Sequence, residues 1–355
     1  MLVAVDAHNL LTDRRGIAVY VRAVLREWYR NGGCELALVV RNPFPALLKR
    51  RLSEIVGEAK IRVTARVPND ADLVWHPWNG TFLDSDKPNV VTIHDVTPFA
   101  YPNPDSAKRK HEQEPFLRSS RRADAIVTDS EFSAGEVVAH LGVPRERITV
   151  VPLAADAELT PGPPERLPHD LTGGAYLLYV GANDARKNVG TLVEAWQRTL
   201  RPRNVALVLV STGIRADGAI SLHDVSAGEL RDLYRGALAV AVPSVYEGFG
   251  LPALEALACG APLVVSRAAS LPEVAGDAAH YVDDPTSVAA WCEALLRVAG
   301  DAAYRERLKL AGPVRASTFS WPRTAALTSA VFERILATRT LVPRKGLEPP
   351  RPRGH

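Results

Sequence analysis

Two glutamates, Glu247 and Glu255, mark the segment of the sequence whose residue types and spacing point most clearly to chemistry. An apolar run typical of a buried strand ends at Val242, and Pro252 suits the first position of a helix, where its missing N–H needs no partner. Gly260 is a suitable residue to end that short helix. The pattern therefore predicts a loop that carries Glu247 and a helix that carries Glu255. One carboxylate on the loop and one on the helix could bind hydroxyl groups on the two sides of a bound phosphate. The alternative interpretation is structural: a surface glutamate followed by a glutamate that caps the helix.

Glycines and cations near two predicted helix starts favour an anion-binding site. Gly248 and Gly250 lack Cβ atoms, so a ligand can approach the backbone, where free N–H groups at the helix start favour a phosphate. Arg186 and Lys187 precede a second helix, for which Asn188 is a plausible N-cap. Because cations are unfavourable at a helix N-terminus, we expect a negative partner, and a diphosphate in a cleft would suit both side chains. An exposed loop with solvated charges is the alternative.

The elements that must position these residues occur twice along the chain. Each half opens with an apolar strand-like run, a polar loop and a helical pattern, at residues 2–28 in the first half and 176–200 in the second. Further strand-like runs follow at 36–40, 73–76, 89–93, 125–128 and 148–151, and at 205–210, 238–242, 262–265 and 279–282. Unbroken apolar strands are typical of parallel sheets covered on both faces. The pattern predicts an α/β chain of two Rossmann-like doubly wound domains that face each other across a ligand-binding cleft.

Composition sets the predicted domain boundaries. The N-terminal domain spans 1–155, a proline-rich linker spans 156–172, and the second domain spans 173–320. The last residues, 343–355, combine prolines with basic side chains, and we expect them to be disordered.

The bulk composition excludes several classes of protein. Of the 355 residues, 46% are hydrophobic and 23% are charged, and no apolar stretch approaches the roughly 20 residues of a membrane span. No basic region precedes the first strand-like run, which argues against a signal peptide. The three cysteines lie far apart without ligand-like spacing, which is typical of reduced thiols and argues against a zinc site. We therefore predict a cytoplasmic protein that needs neither a metal nor a cofactor.

Basic residues are concentrated in two segments of the first half, although the formal net charge is only +3. Such clusters suit an anionic surface, either phosphorylated lipid or membrane headgroups, and a solvated helix face is the alternative. Peripheral contact with the inner face of the plasma membrane is therefore an expectation. Nucleic acid is not expected as a partner, because aromatic residues are not interleaved with these charges. The two segments contain Arg41, Lys49, Arg50 and Arg51, and Lys108, Arg109, Lys110, Arg118, Arg121 and Arg122.

Several of these segments together resemble one enzyme family. Residues 247–266, EGFGLPALEALACGAPLVVS, resemble the signature of the retaining glycosyltransferases of family 4, which adopt the GT-B fold. Residues 181–188, GANDARKN, resemble the phosphate-binding loop of that family, and 225–234, VSAGELRDLY, its segment beside the nucleotide base. In the first half, 15–20 (RGIAVY) and 93–95 (IHD) resemble its glycine-rich loop and its His-Asp loop. The resemblance covers residues 1 to about 340 and implies that a last helix, at about 321–340, returns to the first domain.

The resemblance implies a set of roles for residues of the second half. Glu255 binds the ribose hydroxyls of a nucleotide-sugar donor, and Glu247 contacts the donor sugar at its C3 or C4 hydroxyl. Arg186 and Lys187 neutralise the diphosphate as it leaves, and Leu230 packs near the base. The backbone N–H groups that hold the distal phosphate and the sugar belong to Phe249, Gly250 and Leu251.

Fewer roles are implied for the first half. Gly16 lets this domain approach the phosphates, and His94 reaches the donor sugar near its C6 hydroxyl. A general-base role for His94 is less favoured, although an ordinary histidine pKa permits proton transfer near neutrality. The family commonly has a second glycine where this chain has Ala18, and a methyl group there would narrow the cleft or alter the loop. The tryptophans of residues 75–79, WHPWN, suit either an acceptor docking surface or core packing.

The activity implied by the resemblance is transfer of a hexose from a nucleoside-diphosphate sugar to a hydroxyl of a glycan or lipid-linked acceptor, with retention of configuration. First-half motifs resemble mannosyl- and rhamnosyl-transferring members that build bacterial surface polysaccharides, so GDP-mannose is the first expected donor. No divalent metal is expected, because no Asp-x-Asp motif occurs in the expected place. The alternatives are a sugar-nucleotide epimerase on the same fold and a catalytically silent nucleotide-sugar-binding partner. A nicotinamide-dependent oxidoreductase is not favoured, since neither strand-to-helix turn carries G-x-G-x-x-G.

Overall fold

The computed structural model describes residues 1–13, 16–31, 34–57, 61–168, 171, 173–210 and 213–341. Arg15 of the glycine-rich loop and the predicted disordered tail at 343–355 lie outside these residues. The described part folds around two parallel sheets, one in each half of the chain, as the strand pattern predicts.

The first sheet has seven parallel strands in the order β3-β2-β1-β4-β5-β6-β7. Its strands are β1 (Leu2–Asp6), β2 (Glu35–Val39), β3 (Arg62–Thr64), β4 (Leu73–His76), β5 (Asn89–Thr92), β6 (Ala125–Thr128) and β7 (Ile148–Val150). The helices of this half are α1 (Gly16–Asn31), α2 (Lys49–Val56), α3 (Thr97–Ala100), α4 (Ser106–Arg122) and α5 (Glu131–Leu141), with 3-10 turns at Pro45–Leu48 and Arg145–Arg147.

The second sheet has six parallel strands in the order β10-β9-β8-β11-β12-β13. Its strands are β8 (Tyr176–Val180), β9 (Ala206–Val210), β10 (Ile220–Leu222), β11 (Ala239–Val242), β12 (Leu263–Ser266) and β13 (His280–Val282). The helices are α6 (Val189–Thr199), α7 (Ala227–Gly236), α8 (Leu251–Ala258), α9 (Leu271–Ala275), α10 (Val288–Gly300), α11 (Ala302–Ala316) and α12 (Trp321–Leu341), with 3-10 turns at Ala185–Lys187 and Arg201–Arg203.

Each sheet has a point at which the strand order reverses. In the first sheet β1 lies between β2 and β4, and in the second β8 lies between β9 and β11. The connections leave β1 and β4, or β8 and β11, in opposite directions, so a crevice opens at the carboxyl ends of these strands. The loops after β8 and β11 carry the cations and Glu247 that the sequence singles out. The topology thus brings together two segments that are about sixty residues apart in the chain.

The first sheet is buried on both faces, and its core includes the tryptophans of the WHPWN segment. The ring of Trp75 is fully buried and packs edge-on against Trp28, with 5.0 Å between ring centroids. Trp78 is also buried, and its Nε1 donates a hydrogen bond to the Asp6 carbonyl at 2.7 Å. The sequence left open whether these tryptophans form an acceptor docking surface or pack in the core, and the structure shows core packing. Asn79, at the end of the segment, faces a cavity.

The last helix, α12, lies against the first half of the chain. Trp28 Nε1 on α1 donates to the Ala325 carbonyl at 3.1 Å, and Thr324 Oγ1 donates to the Pro152 carbonyl at 2.7 Å. Phe332 is fully buried against the ring of Trp28. The chain crosses from the first sheet to the second through 151–168, in which the structure assigns no helix or strand.

Side chains fix the start of two helices near the cleft. Ser130 caps α5 by accepting from Ser133 N at 3.0 Å. Ser226 and Glu229 form a reciprocal capping box at the start of α7. Asn188 directly precedes α6, but it adopts a left-handed conformation with φ of 52° and its side chain makes no cap hydrogen bond. The predicted N-cap is wrong in that respect, because the Asn188 amide instead donates to the Pro285 carbonyl at 2.6 Å.

Candidate functional site

A cavity of about 830 Å³ lies between the two sheets at the carboxyl ends of their central strands. Loops from both halves line it, in the place where open α/β sheets bind ligands. We call it the donor cavity, after the donor-binding roles that the sequence resemblance implies for residues in its wall. It brings together most of the residues to which the sequence assigns a role: Gly16, His94, Arg186, Lys187, Glu247, Phe249, Gly250 and Leu251.

Glu247 is the centre of charge in the donor cavity. The residue is only 6% exposed, and its Oε1 accepts from Lys187 Nζ at 2.5 Å and from Ser244 Oγ at 2.8 Å. The Arg186 guanidinium lies 3.7 Å from the other carboxylate oxygen, Oε2, which is an ion-pair distance without a hydrogen bond. Arg186 also contacts Asp184 at 3.2 Å. These carboxylates give both cations negative partners within the chain, whereas the sequence prediction named a diphosphate, and the diphosphate stays a prediction.

The electrostatics of this cluster favour a charged arginine. Burial alone disfavours the guanidinium cation, but the carboxylates of Glu247 and Asp95 outweigh it and raise the pKa of Arg186 above its ordinary value. The cavity therefore keeps a fixed positive charge beside a nearly buried carboxylate. Such an arrangement can bind an anion and a hydroxyl group side by side.

The start of α8 offers backbone donors to the same cavity. Gly250, with φ of +101°, precedes the helix, and its carbonyl accepts from Ala253 N and Leu254 N at 3.0 Å and 3.2 Å. Within the described part of the chain, the N–H groups of Phe249, Gly250 and Leu251 donate to no other residue. Free N–H groups at a helix N-terminus attract anions. Pro252 is the second residue of this helix, one position later than predicted, and still lies in the first turn, where a missing N–H costs no hydrogen bond.

Glycines allow the two halves to approach closely here. A Cβ atom on Gly16, at the start of α1, would lie 3.0 Å from Leu251 Cδ1, so the starts of α1 and α8 face each other. A Cβ atom on Gly248 would lie only 2.3 Å from the His94 carbonyl oxygen. That distance is far below van der Waals contact, so glycine is required at this position. The Gly248 carbonyl also accepts from Ser130 Oγ at 2.6 Å.

Another contact joins the halves at α5. Glu273, on α9 of the second half, accepts from the backbone N–H groups of Glu131 and Phe132 at 2.8 Å each. Its carboxylate thus binds the N-terminus of a helix in the first half, where negative charge is stabilising. Together with the Ser130 contact, this interaction joins the two halves beside the cavity.

Both ring nitrogens of His94 are occupied. Nδ1 lies 2.7 Å from Asp129 Oδ2, and Nε2 lies 3.0 Å from the Pro77 carbonyl oxygen. Both partners are acceptors, so the ring donates from both nitrogens when it is an imidazolium. Burial opposes that charge, but Asp129 outweighs it and raises the pKa of His94. A ring that donates twice has no lone pair to accept a proton, which disfavours the general-base role.

Two residues with predicted donor roles do not line the donor cavity. Glu255 lies on α8 and accepts from the Tyr234 hydroxyl at 2.8 Å. Burial, opposed in part by that hydrogen bond, raises the pKa of Glu255 to about 7. Leu230, on α7, is half-buried and packs against the main core. Neither residue is among those that form the cavity wall.

Ala18 also lies away from the donor cavity. It is the third residue of α1, it is fully buried, and it packs in the core of the first half. Its methyl group therefore does not narrow the cleft, and the expectation from the family glycine is wrong on this point. Gly16, two residues earlier, is the position at which this helix meets the cavity.

Sequence reasoning assigned no role to several polar residues of the site. Asp129 follows β6 directly and so lies at the carboxyl edge of the sheet, which was an available signal. Asp95 lines the cavity beside His94, and Glu112 reaches it from α4. Glu273 carried no signal, because its partner helix lies in the other half of the chain.

Comparison with known proteins agrees with this geometry. Residues 13–159 match the model of Glycosyltransferase Family 4, and residues 174–301 match that of Glycosyl transferases group 1. The O-antigen chain mannosyltransferase B of Escherichia coli is 33% identical over 286 residues, which cover 74% of this chain and 75% of that protein. The chain belongs to glycosyltransferase family 4. The family resemblance seen in the sequence motifs is thereby confirmed.

Other similar proteins fit the same assignment. The MMP alpha-(1->4)-mannosyltransferase of Mycolicibacterium hassiacum is 33% identical over 238 residues, covering 62% of this glycosyltransferase and 56% of that protein. Among solved structures, sucrose-phosphate synthase from Thermosynechococcus elongatus superposes with a TM-score of 0.71 at 18% identity, covering 95% of this chain and 99% of that one. At this identity the likeness shows the fold, and the predicted GT-B architecture is confirmed.

Neither a membrane-spanning helix nor a metal-binding cluster occurs among the described residues. No helix there is both long and apolar enough to cross a bilayer. No group of three or more histidine, cysteine, aspartate or glutamate side chains in that part of the chain is arranged to hold a metal ion.

Proposed function

We propose that this glycosyltransferase moves a hexose from a nucleoside-diphosphate sugar to a hydroxyl of a glycan or lipid-linked acceptor, with retention of configuration. The observation that carries the proposal is the donor cavity, in which Lys187, Arg186 and Glu247 meet the free N–H groups at the start of α8. GDP-mannose is the first donor to test, because two similar proteins, from E. coli and M. hassiacum, are mannosyltransferases.

In this proposal the donor diphosphate lies between the two cations and the start of α8. Arg186 supplies a planar fork of donors and Lys187 a compact charge, which suit the two phosphates. The N–H groups of Gly250 and Leu251 add donors that need no rearrangement to reach developing negative charge. Together these groups stabilise the diphosphate as it leaves, a role that needs no divalent metal.

Glu247 is placed to hold the donor sugar. Its Oε1 already accepts two hydrogen bonds, from Lys187 and Ser244, which fix the orientation of the carboxylate. Its Oε2 has only the looser Arg186 contact at 3.7 Å and so keeps acceptor capacity for a sugar hydroxyl at C3 or C4. Positive charge that develops on the sugar ring in the transition state would also be stabilised by this carboxylate.

The acceptor proton has no evident protein base in this proposal. His94 holds Asp129 and the Pro77 carbonyl through both ring nitrogens, so its role is to order the first-half wall near the donor C6 hydroxyl. The acceptor hydroxyl attacks the anomeric carbon from the face that the diphosphate leaves, and a phosphate oxygen of the donor takes the proton. The bond from that carbon to the diphosphate breaks as the new glycosidic bond forms.

The nucleoside would extend past the cavity toward α7 and α8. Tyr234 holds Oε2 of Glu255, which leaves Oε1 for the ribose hydroxyls. Leu230 would pack beside the base. Both roles stay predictions.

The basic segments of the first half support peripheral contact with an anionic membrane at its cytoplasmic face. Phe44 and Leu47 are 67% and 78% exposed, next to Lys49 and Arg50 at the start of α2. Exposed apolar side chains flanked by cations are typical of surfaces that bind lipid interfaces.

A thermal-shift screen of nucleoside-diphosphate sugars tests the proposal, because a bound donor raises the melting temperature by mass action. We expect a larger rise with GDP-mannose than with UDP-glucose. No rise with any nucleotide sugar would contradict the proposal. Incubation with donor alone tests the alternatives: an epimerase would form a new sugar nucleotide, whereas a silent binding partner would leave the donor intact even with acceptors present.

A further inference from the structure

A second cavity, of about 650 Å³, lies in the first half beside the donor cavity. Asn79 lines both cavities, so they share part of a wall. The segment 79–82 follows β4, and Arg41 follows β2, so this cavity also opens at the carboxyl edge of the first sheet. Ligands of open α/β sheets bind at that edge.

One face of α4 forms the opposite wall. Its lining residues recur at intervals of three and four, which is the spacing of a single helix face. Two of them are cations, one is a histidine and one is a carboxylate. The face consists of Ala107, Lys110, His111, Glu114, Pro115 and Arg118. The next residues around the helix, Glu112 and Phe116, line the donor cavity, so α4 separates the two.

The two walls are held together by close packing. Gly80 has φ of +71°, and a Cβ atom on it would lie 2.9 Å from Pro115 Cβ. Any other residue there would therefore push α4 away from the loop. Arg118 Nη2 donates to the Phe82 carbonyl at 3.4 Å, which ties the same helix to the same loop.

This cavity carries a net positive charge, and two of its cations are free to bind an anion. Arg41, Lys110 and Arg118 line it against one carboxylate, that of Glu114. Arg41 and Lys110 form no ion pair with any described residue, and both are exposed. Unpaired cations that line one cavity raise the local concentration of anions.

We propose that this cavity, the anion pocket, binds a phosphate group of the acceptor while the acceptor hydroxyl enters the donor cavity past Asn79. The inference rests on the proposed function, since it names the chemical class of the acceptor. Arg41, Lys110 and Arg118 bind the phosphate, and Glu114 accepts from a neighbouring sugar hydroxyl. The phosphate belongs either to a soluble sugar phosphate or to a polyprenyl diphosphate that carries the sugar.

The test is calorimetric titration of two probes into the full chain, glucose 6-phosphate and farnesyl diphosphate in detergent micelles. Titrations are run with saturating GDP, which fills the donor cavity, and are repeated without it. Lys110→Ser is the test variant. Lys108→Ser is the matched control, because Lys108 is exposed on the same helix but does not line the pocket. Both changes lie on the surface of α4 and leave its packed face intact.

We expect at least one probe to bind with GDP present, about tenfold more weakly in Lys110→Ser and equally well in Lys108→Ser, as for the loss of one charge-assisted hydrogen bond. The probe that binds identifies the source of the phosphate, soluble or lipid-linked. Binding of neither probe, or equal weakening by both variants, overturns the inference. Failure of GDP to bind would instead count against the proposed function, and the titrations without GDP still decide whether the pocket binds phosphate.

Discussion

Lys187→Met tests the charge cluster of the donor cavity through both stability and activity. In the folded chain the Lys187 and Glu247 side chains are only 13% and 8% exposed, and their charged atoms lie 2.5 Å apart. Methionine keeps the length of the side chain and removes the charge. The Glu247 carboxylate then stays in the cavity with one strong partner fewer.

The magnitude follows from what remains around Glu247. Loss of one partner from a buried ion pair costs about 3–5 kcal/mol when the other charge is left uncompensated. Here Ser244 still donates to the carboxylate and Arg186 remains 3.7 Å away, so we expect a smaller loss, about 2 kcal/mol. Catalysis loses one donor to the leaving diphosphate, which lowers kcat by about a hundredfold.

A double-mutant cycle separates the two effects. In Lys187→Met with Glu247→Gln no buried charge is left unpaired, so the double variant recovers most of the lost stability. It recovers no activity, because both the cation and the sugar-binding carboxylate are gone. Urea unfolding measures the free energies, and release of GDP from GDP-mannose measures the activity. Equal stability of Lys187→Met and the wild type, with unchanged GDP affinity, would refute the reasoning.

Three further variants test other parts of the site. Folding raises the pKa of His94 above 6.5, so the charged ring stabilises the fold fully below pH 6.5, and this stabilisation is lost as the pH rises through the raised pKa. In Asp129→Asn the partner charge is gone, so urea unfolding should show no such loss of stability above pH 6.5. Gly248→Ala should abolish transfer and widen the molecule in small-angle scattering, with circular dichroism unchanged, and an unchanged radius of gyration would contradict the closed contact. Ala18→Gly should leave GDP affinity unchanged in calorimetry and cost about 1 kcal/mol of stability, whereas tighter binding would show that the methyl group does obstruct the cleft.

Much of the fold follows from sequence pattern alone. The strands at the centres of both sheets are apolar on both faces, and short apolar runs of this kind are typical of parallel strands that are covered on both sides. Two of the four edge strands lack that signal: β3 has one exposed and two half-buried residues, and the pattern does not predict it. The same holds for β10, which is half-buried throughout.

The donor site, too, is predictable from the sequence only in part. The loop with Glu247 and the start of α8 are predictable because glycines, Pro252 and the strand end act locally. The contact of Glu247 with Lys187 is not predictable, since it depends on the reversal of strand order between β8 and β11. Burial of Ala18 likewise depends on which face of α1 packs against the sheet, and a family motif does not determine that face.

The side-chain contacts across the cleft could not be predicted from local sequence patterns. The requirement for glycine at 248 arises from the His94 carbonyl, more than 150 residues earlier in the chain. Glu273 binds the N–H groups of Glu131 and Phe132 across the cleft, and no local pattern marks such a partner. These contacts join residues that are far apart in the sequence, so the geometry of the donor cavity depends on the folded chain as a whole.

A crystal structure with an intact nucleoside-diphosphate sugar bound tests the central claim most directly. We predict that the diphosphate lies within hydrogen-bond distance of the Gly250 and Leu251 N–H groups and of Lys187, with a donor-sugar hydroxyl on Glu247 Oε2. A nucleotide sugar bound elsewhere, or one whose sugar ring points away from Glu247, would contradict the account.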